Sequence, residues 1–162
     1  MIKVTISKQG APSQMQKALP AIVKKAMIAA AKAWRDNVLP RHFDAGAARR
    51  YDYQGRTDGY NRRKRKMGSP PAMVFTGRAM RKMLTTKREP TGTAKKITLR
   101  IPTYGFFNMN YKSWPKGHTM AKEATAMTQQ DLEAIYQDVQ GRVTRALNAM
   151  QTGGARLKDL RR

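Results

Sequence analysis

The 162-residue sequence predicts an α+β fold: a small, mostly antiparallel sheet packed against two long helices, with a long basic loop in the middle. Three observations carry that expectation. Apolar residues recur at three- and four-residue intervals near both ends of the chain, short runs elsewhere alternate with period two, and residues 41–72 follow neither period. A chain of this length fits one domain, here 1–152 including the loop at 41–72, with 153–162 as a short basic tail.

In chain order, Ile2, Val4 and Ile6 alternate with Lys3 and Thr5, the pattern of a strand with one buried face, and Gly10 and Pro12 end it. From Ser13, a plausible N-cap, the spacing becomes helical: Met15, Leu19, Ile22, Val23, Ala26, Met27, Ala30, Trp34 and Val38 form one stripe. Pro20 predicts a kink, or a short first turn before a main helix, because an interior proline forfeits a backbone bond. Pro40 closes the element. Residues 41–72 combine Gly46, Gly55, Gly59, Gly68, Pro70 and Pro71 with a cationic run and read as loop. Met73, Val74 and Phe75 are expected to dock the end of that loop into the core, and Gly77 to begin a short helix in which Met80, Met83 and Leu84 share a face. KKITLRIP at 95–102 alternates as a strand, with residues 83–89 as a possible hairpin partner across Pro90 and Gly92. An irregular aromatic stretch follows. Leu132, Ile135, Tyr136, Val139, Val143, Ala146, Leu147 and Met150 then form the second long stripe, opened by Thr128 and Asp131 as a capping box and stopped by Gly153 and Gly154.

Charge says more about partners than about chemistry. Thirty-three Lys and Arg against ten Asp and Glu give a formal charge of +23, which calls for polyanions or acidic protein surfaces. The distribution is polarised: residues 59–122 hold sixteen Lys and Arg and the single carboxylate Glu89, whereas four of the ten acids lie in 123–138. No cysteine is present, so disulfides and thiolate metal sites are excluded. The first residues lack a secretory apolar stretch and no window approaches a membrane span, so a soluble, intracellular site of synthesis and no membrane partner are expected.

The densest charge lies in RYDYQGRTDGYNRRKRKMG, where Arg49, Arg50, Arg62, Arg63, Lys64, Arg65 and Lys66 are candidates for contact with DNA phosphates or an acidic partner. Tyr51, Tyr53 and Tyr60 have two readings. They can stack on exposed bases, or they can anchor the segment to the domain or to a neighbouring subunit, the reading favoured here. Arg56 and Trp114 join the tyrosines as candidate subunit or partner contacts. His42 and His118 are isolated from any nucleophile motif, and GSPPAMVFTG lacks the Lys-Ser or Lys-Thr of a phosphate loop. No catalytic, metal or cofactor residue is assigned.

The order of features carries a resemblance. A helix ending in LPRHF, then RYDYQGRTDGYNRRKRKMG, VFTGRAMRKML, a basic β segment and a final amphipathic helix resembles the tailed-bacteriophage neck proteins, also described as head-tail connector, tail completion or minor tail proteins. The matching features fall on Tyr51, Tyr53, Arg56, Tyr60, Lys64, Phe75, Thr76 and Gly77, and the likeness is best over residues 34–101. The chain departs from members that end in a compact strand and acidic segment, having FFNMNYKSWPKGH and a long helix instead. The resemblance implies a non-enzymatic virion component that forms a cyclic homo-oligomeric ring at the head-tail junction. Its neighbours would be portal or adaptor, tail terminator or tail tube proteins, with non-specific phosphate contact to phage DNA. A free nucleic-acid-binding protein using the same Tyr/Arg loop is the competing expectation.

Overall fold

The computed structural model describes residues 13–68, 70, 71, 73, 74, 76–109, 112 and 114–151. The expected strand at 2–6, the docking of Phe75, the glycine stop at 153–154 and the basic tail lie outside the described residues. The regular elements of the described chain are helices apart from one small hairpin. Helix α1 runs Ser13–Asn37, α2 Ala47–Arg50, α3 Asp58–Lys66, α4 Arg78–Thr85, α5 Met120–Ala124 and α6 Gln129–Gln151, and strands β1 (Thr91–Gly92) and β2 (Ile97–Thr98) pair antiparallel. Short 3-10 helices occupy Leu39–Phe43 and Gly105–Asn108.

The chain gathers into two compact units. Among the described residues, the first takes those of 13–32, 90–99 and 132–151, and the second those of 33–89 and 100–131. In the first unit Ala18, Ile22, Val23, Ala26 and Ala30 of α1 are buried with Val139 and Val143 of α6. Leu19, Met27, Ile135, Ala146, Leu147 and Met150 pack around them, as does Ala94 from the hairpin turn. Most of both stripes read from the sequence therefore meet as core; Trp34 and Val38 fall in the second unit, and Tyr136 stays 40% exposed. The run of alanines gives this core little apolar area per residue, so close helix approach has to supply dispersion contacts. Helix α1 continues through Pro20. Pro20 lies near the helix start and is exposed, so the single forfeited bond falls on the outward side while the buried stripe holds the helix on both flanks.

The sheet is shorter than its alternation suggested. Only Ile97 and Thr98 of the 95–102 run enter a ladder, opposite Gly92 and Thr91, and residues 83–85, expected in a partner strand, belong to α4. Thr93 N donates to Lys96 O at 2.9 Å across the turn. Gly92, at φ 147°, has a backbone conformation that side chains rarely adopt, and a Cβ there would collide with the Lys96 carbonyl.

In the second unit, Trp34, Leu39, Phe43, Ala47, Met73, Met83, Phe107 and Ala124 are buried. The 3-10 helix Leu39–Phe43 packs against α2 and α4, and Gly105–Asn108 packs against α5. Met73 and Met83, expected to point inward, are 3% and 1% exposed. Gly77 opens α4 at φ 74°, the left-handed region in which glycine is least strained.

The largest correction concerns residues 41–72. They hold a 3-10 turn, α2 and the nine-residue α3 where an extended loop was expected. Helix α3 is fixed at its ends: Thr57 Oγ1 accepts from Tyr60 N at 3.3 Å, Asp58 sits in the positive first turn, four cations occupy the last turns, and Gly68 leaves at φ 79°. The like-charged run and Gly59 obscured it, because apolar periodicity is nearly absent. Substituting Gly92→Ala should lower the melting temperature of the whole chain, whereas Gly46→Ala, whose added Cβ meets nothing within 4 Å, should leave it unchanged. Thermal melts followed by far-UV circular dichroism make the comparison.

Candidate functional site

The second unit is organised beneath α3 by a buried ion pair. Arg56 Nη2 donates to Glu123 Oε2 at 2.5 Å and Arg56 Nη1 to Oε1 at 3.1 Å, a two-pronged contact between side chains that are 11% and 1% exposed. Glu123 also accepts from Gln54 N at 2.8 Å and lies 3.1 Å from His118 Nε2. Arg56 Nη1 reaches Gln54 O at 2.7 Å as well. Burial on its own would raise the Glu123 carboxyl, but hydrogen bonds from Arg56 and His118, with the Arg56 charge and Gln54 N, outweigh it and hold the group below its ordinary range. Trp114 covers the pair: the Arg56 guanidinium sits 4.6 Å from the indole ring centre, the indole N–H donates to Gly55 O at 3.2 Å, and His118 meets the ring edge-on at 5.2 Å.

A second knot ties the 3-10 turn to the segment after α2. His42 is fully buried, its ring stacked on Tyr51 at 3.8 Å and 14°. Its Nδ1 shares a 2.6 Å hydrogen bond with the Tyr53 hydroxyl. Desolvation lowers the His42 imidazole to about 4 and holds the Tyr53 phenol well above its ordinary value. The helical spacing of His42 concealed this partnership, since its two tyrosines follow a helix and a turn later.

The predicted contact residues thus separate into two groups. Tyr51, Tyr53, Arg56 and Trp114 are engaged within their own chain, and Tyr51 is only 7% exposed. Tyr60, half-buried, lies on the inner side of α3 with Lys64 Nζ 5.6 Å above its ring. Lys64 departs from its cationic neighbours. It is buried and donates to Pro71 O at 2.5 Å, and desolvation, assisted by the Arg56 charge, lowers its ammonium. Arg62, Arg63, Arg65 and Lys66 are exposed on α3, as are Arg49 and Arg50 at the end of α2. The helix period explains the split, because Tyr60 and Lys64 stand four residues apart on the face turned toward 70–71.

Glu123 and the two histidines were not assigned from sequence. A usable signal existed for Glu123: residues 90–122 hold no carboxylate, and Glu123 ends that stretch in the first turn of a helix capped by Thr119, whose hydroxyl accepts from Lys122 N at 3.2 Å. The capping box expected at Thr128 and Asp131 is present and reciprocal, with Thr128 N donating to Asp131 Oδ2 at 3.0 Å and Asp131 N to Thr128 Oγ1 at 3.1 Å. Among the described residues no group of three or more His, Asp or Glu side chains is placed to hold a metal ion, and no helix is long and apolar enough to cross a membrane. No family model, curated protein or solved structure matches the chain.

Replacing Glu123→Gln strands the buried Arg56 charge and should cost roughly 3–5 kcal/mol in chemical denaturation. The Arg56→Met/Glu123→Gln pair should cost clearly less than the sum of the single changes. Acid should also destabilise the protein in two stages. Between the ordinary histidine value of 6.5 and about 4 the unfolded chain takes up a proton that folded His42 refuses. Stability therefore falls with decreasing pH across that window, by on the order of 1.4 kcal/mol per pH unit. Glu123, whose folded value is depressed, adds its own loss at lower pH as it becomes protonated. Denaturation midpoints across pH 7 to 4 should show the first slope in the parent and a much flatter one in His42→Phe.

Proposed function

We propose that this chain is a non-enzymatic structural protein of the tailed-phage neck, a head-tail connector or tail completion component that assembles as a ring of identical subunits around the DNA channel. The observation that carries the reading is the division of labour around α3. Four groups beneath α3 capable of acid-base chemistry, Glu123, His118, His42 and Tyr53, bond to one another or to Arg56, while Arg62, Arg63, Arg65 and Lys66 face outward from a capped helix. A nucleophile or general base needs a group left available to a substrate. A fixed row of cations needs only a polyanion, and neutralises phosphates without reading sequence.

Helical order in α3 changes the expected mode of contact. A flexible loop would lose chain entropy on assembly, whereas a pre-formed helix presents its cations at set intervals and loses less. The order of features shared with neck proteins favours a virion location over a free binder. The partners would then be the portal or adaptor on one side, the tail terminator or tail tube on the other, and DNA passing through.

The quadruple substitution Arg62→Glu/Arg63→Glu/Arg65→Glu/Lys66→Glu should leave the melting temperature near that of the parent, because all four positions are exposed, yet abolish infectious particles in complementation of a null phage. Immunogold labelling of parent virions should mark the head-tail junction. Normal yield from the variant would remove α3 from assembly. Label absent from partly opened particles, with the protein recovered on nucleic acid, would favour the free binder. For DNA binding by the purified protein, loss of four phosphate contacts should flatten the plot of log K against log salt by roughly three to four.

A further inference from the structure

A cleft of about 790 Å³ lies in the second unit among α3, α4 and the 3-10 helix Gly105–Asn108. That volume falls in the range of roughly 300–1,000 Å³ typical of ligand clefts. Its lining is largely apolar and adaptable, with Met73, Met80, Met120, Phe106 and Phe107 prominent, and among the described residues it contains no acidic side chain. Phe106 is 43% exposed, apolar surface that a second chain would cover. The exposed Arg63 and Arg78 belong to the same lining, and neither is ion-paired among the described residues.

From this combination we infer that the cleft is a docking groove for an acidic peptide segment of a partner protein, with apolar side chains entering among the methionines and carboxylates reaching Arg63 and Arg78. Methionine side chains repack around differently shaped anchors, and arginine is the side chain best suited to fork onto a carboxylate. The aromatic faces argue against a nucleobase. Tyr104 stacks on Phe106 at 5.7 Å and 7° and carries Lys82 Nζ 4.1 Å from its ring centre. Phe106 meets Phe107 at 5.0 Å. A stacking platform needs open faces, whereas aliphatic side chains can use the edges that remain. The cleft shares only Arg63 with the outward row of α3, so the inference is read from the apolar preference and from Ala79→Trp and holds whether or not that row meets DNA.

The test uses the full-length protein and fluorescein-labelled probe peptides near physiological salt, read by polarisation. One probe alternates aspartate with leucine and a single phenylalanine; the other has the same aspartates with serine at every apolar position. The apolar probe should bind at least about tenfold more tightly, which anchors in a hydrophobic groove readily supply. Ala79→Trp, which adds bulk at a cleft-lining position, should erase that preference. Arg63→Glu/Arg78→Glu should weaken both probes, whereas Arg62→Glu/Arg65→Glu, outside the lining, should leave the preference intact. Matching melts confirm that Ala79→Trp folds, and the doubly exposed Arg63/Arg78 pair gives an independent variant. Equal affinity for the two probes would overturn the proposal. So would an oligothymidylate that binds the parent and is lost in Ala79→Trp, or a self-association that Ala79→Trp abolishes; these would give the cleft to nucleic acid and to a second copy, respectively.

Discussion

The Arg56–Glu123 pair is the constraint on which the second unit depends. Desolvating a guanidinium and a carboxylate is expensive, and the cost is offset only when nearly every polar atom is satisfied. Here Gln54 N, Gln54 O and His118 complete the set, and Trp114 closes over it. The pair joins the segment leading into α3 to α5, 67 residues apart in sequence. With that junction in place, the start of α3 is set by Thr57 directly after it, and Asn61 returns a hydrogen bond to Arg56 O at 3.1 Å. Position and charge are thereby coupled: a largely buried, paired arginine fixes where the exposed cations begin.

Lys64 extends the same logic. Its neighbours in the run repel one another along the helix, which is mildly destabilising in isolation. Turning one of five consecutive cations inward, onto Pro71 O, anchors the far end of α3 and spares the outward face one charge. The result is a short, rigid, positively charged element where a mobile tract would have been the simpler reading of the composition. In the ring proposed above, a capped helix would repeat the same cation spacing in every copy. The cleft beside α3 adds a surface of different character, methionine-lined and apolar, that meets the cationic row at Arg63.

Much of the architecture was legible because long amphipathic stripes are robust signals. The inward residues of α1 and α6 follow from three- and four-residue spacing, and the Thr128 and Asp131 cap follows from chemistry confined to one turn. The hairpin was legible as a turn at Gly92 but not in extent. Alternation in KKITLRIP is consistent with a strand, yet ladder length depends on a partner, and the first three residues of the candidate at 83–89 are held in α4, where Met83 is buried. Helix α3 was missed for the opposite reason: its stability comes from caps and from one buried lysine, not from an apolar face. Tyr51, Tyr53 and Arg56 were read as subunit or partner contacts, but whether such groups face inward or toward a partner cannot be told from their types.

The sequence by itself determined the two helical stripes, the absence of thiol chemistry, the polarised charge and the density of aromatic and cationic residues between 50 and 66. These are properties of composition and of contacts within a few residues, so no fold is needed to express them. Tertiary structure alone decided that Glu123 serves Arg56, that His42 lies between Trp34 and two tyrosines, that Lys64 is buried while Arg63 and Arg65 are exposed, and that Phe106 and Met80 share a cleft with Arg78. Each of those depends on burial and on partners distant in the chain. Desolvation is what turns an ordinary arginine or histidine into a structural one, and it is a property of the folded surroundings.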